Sequence, residues 1–219
     1  MSELSKRDKE KIQRENEIID KAEKLFCLNG FDNTTMNELA KEVEYTKRTI
    51  YKYFSCKEDL FFAVVLRGYK RLWDNVKIES AKGKTGFEKI KLSYFAFHKF
   101  YSVEPSLLCL MGMIGIVNSE KSDTDMLFKE KFFSFNKFMF DEIQGMFDEI
   151  QGMFEIGKND RSIRHDIEIP TLMYSSIFTL TGFFNLLSVT GKSYLNNFNI
   201  DEEKFIETTL ALLIDSIKA

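Results

Sequence analysis

The chain is short of residues that break helices and of residues that build metal or redox centres. Its 219 residues contain two prolines, three cysteines, two histidines and eleven glycines. So few prolines leave long stretches free to propagate helix. Strand-like alternation is almost absent, so the expectation is an all-α protein of about nine helices. Cys27, Cys56 and Cys109 form no CxxC pair, and a sparse, odd count without a signal peptide fits free thiols in a cytoplasmic protein. His98 and His165 stand at no ligand spacing from a cysteine or an acid cluster, which argues against a metal site. A phosphate-cradling glycine loop and a GxSxG elbow are both missing. No paired acid–base signature accompanies His98, so the chain reads as a non-enzyme without a cofactor. The net charge of −3 excludes a general polyanion binder, and any attraction to nucleic acid must come from local clusters.

What is present is concentrated in TMNELAKEVEYTKRTIYKYFSCKEDL, residues 35 to 60. Thr35 is a hydroxyl N-cap with Glu38 three residues on, the reciprocal arrangement that starts a helix. Met36, Leu39, Ala40 and Val43 recur at i, i+3, i+4 and i+7, one apolar face over two turns. Thr46 is a second N-cap, predicting a short helix Lys47–Tyr53 anchored inward by Ile50 and Phe54. Its other faces carry Lys47, Arg48, Thr49, Tyr51, Lys52 and Tyr53. A short helix that offers donors rather than apolar surface suits a major groove better than a core. These two helices and their turn read as a helix-turn-helix.

With its upstream flank, IIDKAEKLFCLNGFDNTTMNELAKEVEYTKRTIYKYFSCKEDLFFAVV (18–65) resembles the DNA-binding domain of the tetracycline-repressor (TetR) family. Ala22, Leu25, Phe26, Gly30, Thr34, Thr35, Ala40, Tyr51, Phe54, Lys57 and Leu60 stand where that family's pattern has them. The resemblance covers about a quarter of the chain; beyond it, GKNDRSIRHDIEIP (157–170) looks like the turn before the family's dimerisation helices. It implies a DNA-binding domain at 1–56 and a larger ligand-binding and dimerisation domain at 57–219. A transcriptional regulator is implied, most simply a homodimeric repressor that leaves its operator when an apolar small molecule binds. Lys47 and Arg48 are placed to read base edges. The position of Arg48 is often glycine in the family, so the base code need not carry over. Thr35, Thr46, Tyr51, Tyr53 and Lys57 are placed to hold phosphate, with Thr49 and Lys52 on the same surface. One reading helix covers half a groove turn, which implies a pseudo-palindromic duplex operator and a two-fold dimer.

The remaining sequence is helical throughout: Lys6–Asn29 closed by Gly30, Lys57–Ser80, Phe87–Ser102, Pro105–Val117, Asp123–Ile156, Thr171–Ser188 and Asp201–Lys218. The charged start KRDKEKIQREN is expected to be a solvated face or a frayed arm. Cys56 opens a helix, where a thiolate would be stabilised, so a redox role is the alternative to an ordinary first-turn residue. Ile169 to Gly191 carries no charge over 23 residues, enough to cross a bilayer. Pro170, its serines and threonines and Asn185 favour a helix buried in protein and no membrane. Ser175, Thr179 and Gly182 form a small-residue stripe for close helix approach, opposite Met173, Ile177, Leu180, Phe184 and Leu187.

FDEIQGM occurs at 140–146 and again at 147–153. Seven residues at 100° fall about 20° short of two turns, so the copy keeps the apolar face nearly in register and adds roughly 10 Å. The 22 phenylalanines are concentrated in the larger domain, and FFSFNKFMF puts rings on nearly every face of one helix. A partner subunit or a ligand cavity should cover the surplus. Phe95, His98, Tyr101, Cys109, Met113, Phe132, Phe135, Asn136 and Phe178 are the candidate contacts for an apolar ligand. The alternative is that this domain binds a protein partner instead.

Overall fold

A computed structural model describes residues 5–113 and 144–219. Phe132, Phe135, Asn136, the end of the helix expected at Pro105–Val117 and the start of the one expected at Asp123–Ile156 lie outside the described residues. Ten α-helices and no strand occur among those described. The chain divides into two compact units: Met1–Tyr69 with Leu110–Glu120, and Lys70–Cys109 with Lys121–Ala219.

The first unit is built from α1 (Lys6–Asn29), α2 (Met36–Val43), α3 (Lys47–Ile50) and the first half of α4 (Lys57–Ser80). The Ser5 hydroxyl oxygen accepts from the Asp8 amide to start α1. Gly30 ends it at φ 80°, a region that disfavours a side chain, and its N–H donates to the Phe26 carbonyl at 2.9 Å. Ile18, Ala22, Leu39, Ile50, Leu60, Val64 and Val65 are buried between the helices. At their centre the Phe31 and Phe61 rings lie 4.8 Å apart, and each lies 5.8 Å from Phe26. Burying each such ring stabilises the unit by about 1.5–3 kcal/mol. This unit runs past the boundary expected at residue 56, because α4 supplies the ring of Phe61 and the aliphatic wall behind it.

The second unit takes in the rest of α4, α5 (Gly86–Val103), the start of α6 (Pro105–Gly112), α7 (144–159), α8 (Ile169–Leu186), α9 (Lys192–Phe198) and α10 (Glu202–Ile217). Thr85 and Glu88 close a reciprocal cap on α5. A Cβ on Gly86 would collide with the Gly157 backbone, so the start of α5 and the end of α7 meet main chain to main chain. Asp160 and Ser162 accept from the Gly86 and Phe87 amides at 2.8 and 3.0 Å, which satisfies donors that a helix start leaves open. In α7, Phe147 opens the second FDEIQGM copy and meets Tyr174 at 5.6 Å, and Phe154, one heptad on and just past the copy, is fully buried.

In α8, Leu172, Met173, Ser176, Leu180 and Phe184 are buried, while Tyr174, Ser175, Phe178, Thr179, Gly182 and Leu186 face outward. Its expected burial therefore holds for one face only, although length and composition alone would let Ile169–Gly191 cross a membrane. α8 passes into a π-turn (Leu187–Gly191) and then α9, where the sequence suggested no helix; buried Leu187 and Leu195 anchor this continuation.

Candidate nucleic-acid interface

The reciprocal cap expected at α2 is formed. The Glu38 carboxylate accepts from the Thr35 amide at 2.8 Å, and the Thr35 hydroxyl accepts from the Glu38 amide at 3.3 Å. These donors hold the Glu38 carboxyl below its ordinary pKa, the Thr35 amide contributing most. Glu44 ends α2 at φ 58°, and the turn places Tyr45 so that its phenol donates to Glu17 on α1 at 2.7 Å. That bond lowers the Glu17 pKa and raises that of Tyr45. The turn between the two short helices is thus tied to the long one.

Thr46 then caps α3, accepting from the Thr49 amide at 3.2 Å. α3 is shorter than expected: regular helix ends at Ile50, and Tyr51–Tyr53 form a tight turn in which the Lys52 and Tyr53 amides donate three residues back. Ile50 is fully buried and Phe54 nearly so, which fixes the rotation of the element. Lys47, Arg48, Tyr51 and Lys52 are consequently exposed, and Thr49 and Tyr53 half-buried, on one continuous surface. Neither Lys47 nor Arg48 is engaged in an ion pair among the described residues. The arrangement presents free cations on a rigidly held stub, the requirement for bidentate contact with guanine.

Lys57 stands in a different setting. Its ammonium donates to the Phe31 and Asp32 carbonyls at 2.8 and 3.4 Å and lies 4.2 Å from the centre of the Phe31 ring. It therefore clasps the loop between α1 and α2, and a phosphate would share the ammonium with that loop. Cys56 is no activated thiolate: half-buried beside Glu58, its thiol is pushed above its ordinary pKa chiefly by burial. Asp59 accepts from the Ser55 amide at 2.7 Å and takes the capping role at this helix start.

The candidate ligand contacts of the second unit are only partly brought together. His98 stacks on Phe184 at 5.9 Å, and Tyr101 tilts against the same ring at 5.1 Å. The Tyr101 phenol donates to Glu202 at 2.9 Å, and burial together with that bond raises its pKa. Phe97 completes the cluster at 5.4 Å from Phe184. Phe95 and Phe178 do not join it. They are 42% and 74% exposed, because each lies six residues, about 120° of helix, from a ring of the cluster on its own element (Tyr101 and Phe184). Cys109 is half-buried, its thiol pKa raised by burial, and Met113 falls in the other unit. Phe184 and Glu202 were absent from the expected set: the first looked like plain core, the second like one acid in an exposed helix start.

The segment 18–64 matches the model for bacterial regulatory proteins of the tetR family. The HTH-type transcriptional regulator QacR of Staphylococcus aureus is 34% identical over 77 residues, 35% of this chain and 41% of QacR. The uncharacterized regulator YuxN of Bacillus subtilis is 31% identical over 80 residues, 35% of this chain and 28% of YuxN. The matches thus span less than half the length of these curated relatives. Among solved structures, a regulatory protein in the tetR family from Rhodococcus RHA1 superposes with a TM-score of 0.68 at 13% identity, over 99% of both chains. The regulator FadR of Bacillus subtilis, in complex with stearoyl-CoA, gives 0.64 at 17% identity, over 92% of this chain and 98% of that one. At such identities these superpositions establish the shared fold. Residues 18–64 thus carry the amino-terminal domain of the bacterial regulatory proteins of the tetR family.

Proposed function

We propose that the protein is a homodimeric transcriptional repressor released from a pseudo-palindromic operator by an apolar small molecule. The observation that carries the DNA-binding part is the capped stub α3, with Ile50 buried beneath it and Lys47, Arg48 and Lys52 exposed above. Selection from a randomised duplex library tests it. The wild-type protein should enrich two inverted half-sites about one helical turn, or a multiple, apart. Recovery of unrelated sequences would sink it.

The dimer is supported by the outward face of α8 and α10, where Tyr174, Phe178, Leu186 and Leu212 are exposed around the small-residue stripe Ser175, Thr179 and Gly182. A patch of this kind calls for a covering surface, and a second copy supplies one by two-fold symmetry. The ligand part draws on the cluster of Phe97, His98 and Tyr101 around Phe184, with Glu202 as a polar end, and on the acyl ligand of FadR. An apolar acyl or aromatic molecule entering here must displace or wrap the Phe184 ring. It lowers operator affinity only by binding better to the conformation that holds DNA poorly; couplings of about 1–3 kcal/mol correspond to a 5- to 150-fold loss. Calorimetry of such a ligand with free and operator-bound protein is decisive. Equal affinity for both would remove the inducer role and favour a protein partner for this domain.

A further inference from the structure

We infer that the extended start of α1 forms a second phosphate-binding strip continuous with the reading surface; this rests on the DNA-binding reading above. Arg7, Lys11 and Arg14 recur at i, i+4 and i+7, so they line one face of α1. That face meets Lys52 and Tyr53 across a groove of about 380 Å³, whose remaining lining is Asp8 and Glu10. All three α1 cations and Lys52 are exposed, and none forms an ion pair among the described residues. Of the two carboxylates, Asp8 is already occupied by the Ser5 hydroxyl, which donates to it at 2.6 Å. With four cations against two carboxylates, the groove is net cationic and opens beside the last turn of the reading element.

The strip is a held structure rather than a frayed arm. Ser5 caps it, and Gln13 donates to Glu17 at 3.1 Å, the carboxylate that also receives the Tyr45 phenol. One chain of hydrogen bonds thus links this part of α1 to the turn ahead of α3. Residues 6–17 lie in α1 ahead of the segment matched by the family model, which begins at 18. From Arg7 to Arg14 the helix rises about 10 Å, long enough to run beside consecutive phosphates of one strand. A duplex seated on α3 sends one backbone past Tyr53 and Lys52, and the strip lies where that backbone continues. Such contacts carry no base preference; they set register and add salt-dependent affinity.

The test is the salt dependence of binding to the duplex selected by the wild-type protein and to an unrelated duplex of equal length. Each neutralised phosphate contributes about 0.9 to the slope of log affinity against log salt. The triple variant R7Q/K11Q/R14Q removes two strips of three cations per dimer, so it should lose about 5 from that slope on both duplexes and keep its base preference. Lys9→Gln removes a charge from the opposite side of α1 and should leave the slope within about 0.3 of wild type. Unchanged slope in the triple variant, or an equal loss per charge for Lys9→Gln, overturns the strip while leaving the reading surface intact. A wild-type protein that selects no duplex overturns both. Helicity and melting temperature of the variants, all at exposed positions, confirm that folding is unaffected.

Discussion

The Lys57 ammonium donates to the Phe31 carbonyl at 2.8 Å while lying 4.2 Å from the centre of the Phe31 ring. One side chain therefore binds both the backbone and the ring of a single loop residue. Lys57→Met keeps the aliphatic stem and removes the charge. It should lower the stability of the first unit by about 1–2 kcal/mol, the combined scale of a charge-assisted hydrogen bond and an exposed cation–π contact. Urea unfolding followed by circular dichroism measures this. If stability is unchanged and only DNA affinity falls, Lys57 acts on phosphate alone.

Arg48 lies exposed at the start of α3, one residue beyond the capped Thr46–Lys47 step. Arg48→Ala should cost about 1–3 kcal/mol on the selected operator and relax preference at one base pair. Competition binding against single-position operator variants is the measurement. Intact selectivity in the variant would transfer the reader's role to another side chain.

Acid should loosen the helix starts before it reaches the apolar cores. Glu38 and Glu88 each accept from backbone amides at a cap, and those bonds hold both carboxyls below the ordinary value of 4.5. A depressed native pKa means stability that is present above the unfolded value and lost as pH falls through 4.5 and on through the native value. The variant E38Q/E88Q should therefore be less stable than wild type at neutral pH and lose less on acidification to about pH 3. Parallel acid limbs in thermal melts would remove these carboxylates from the account.

Gly182 faces outward on α8, and a Cβ placed there meets nothing within 4 Å of its own chain. An arginine is accordingly tolerated by the fold of one subunit but would stand in the path of an approaching second helix. Sedimentation of the wild type at low micromolar concentration should give about twice the chain mass. Gly182→Arg should give a folded monomer. A wild-type monomer, or an undisturbed dimer of the variant, would place the interface elsewhere.

The features legible in the sequence were those set by local chemistry. The Thr35–Glu38 cap, the Thr46 cap, the close of α1 at Gly30 and the first-turn position of Pro105 depend on residues within a few positions of one another. The small-residue stripe of α8 was also readable, because helical period alone assigns it to one face. What spacing could not convey was which of two apolar faces the rest of the chain covers. Phe178 and Phe184 are equally apolar, yet one is largely exposed and the other fully buried. Likewise, nothing local links Lys57 to Phe31 or Tyr101 to Glu202, pairs separated by 26 and 101 residues. The extension of α1 was legible as charge but not as surface, since Lys52 and Tyr53 meet it only through the fold.

The repeated FDEIQGM segment gives α7 an unusual kind of adjustability. Deleting either copy produces the same polypeptide, and every whole copy gained or lost leaves Phe147-type and Phe154-type positions on their faces to within about 20°. Gly145 and Gly152 touch nothing that a methyl group would disturb, so neither glycine is a close contact that pins the number of copies. The helix is in effect a strut whose length can be changed in fixed steps by duplication or loss of a coding segment. Variants of this protein should differ there in copy number before they differ in the residues of the copy itself.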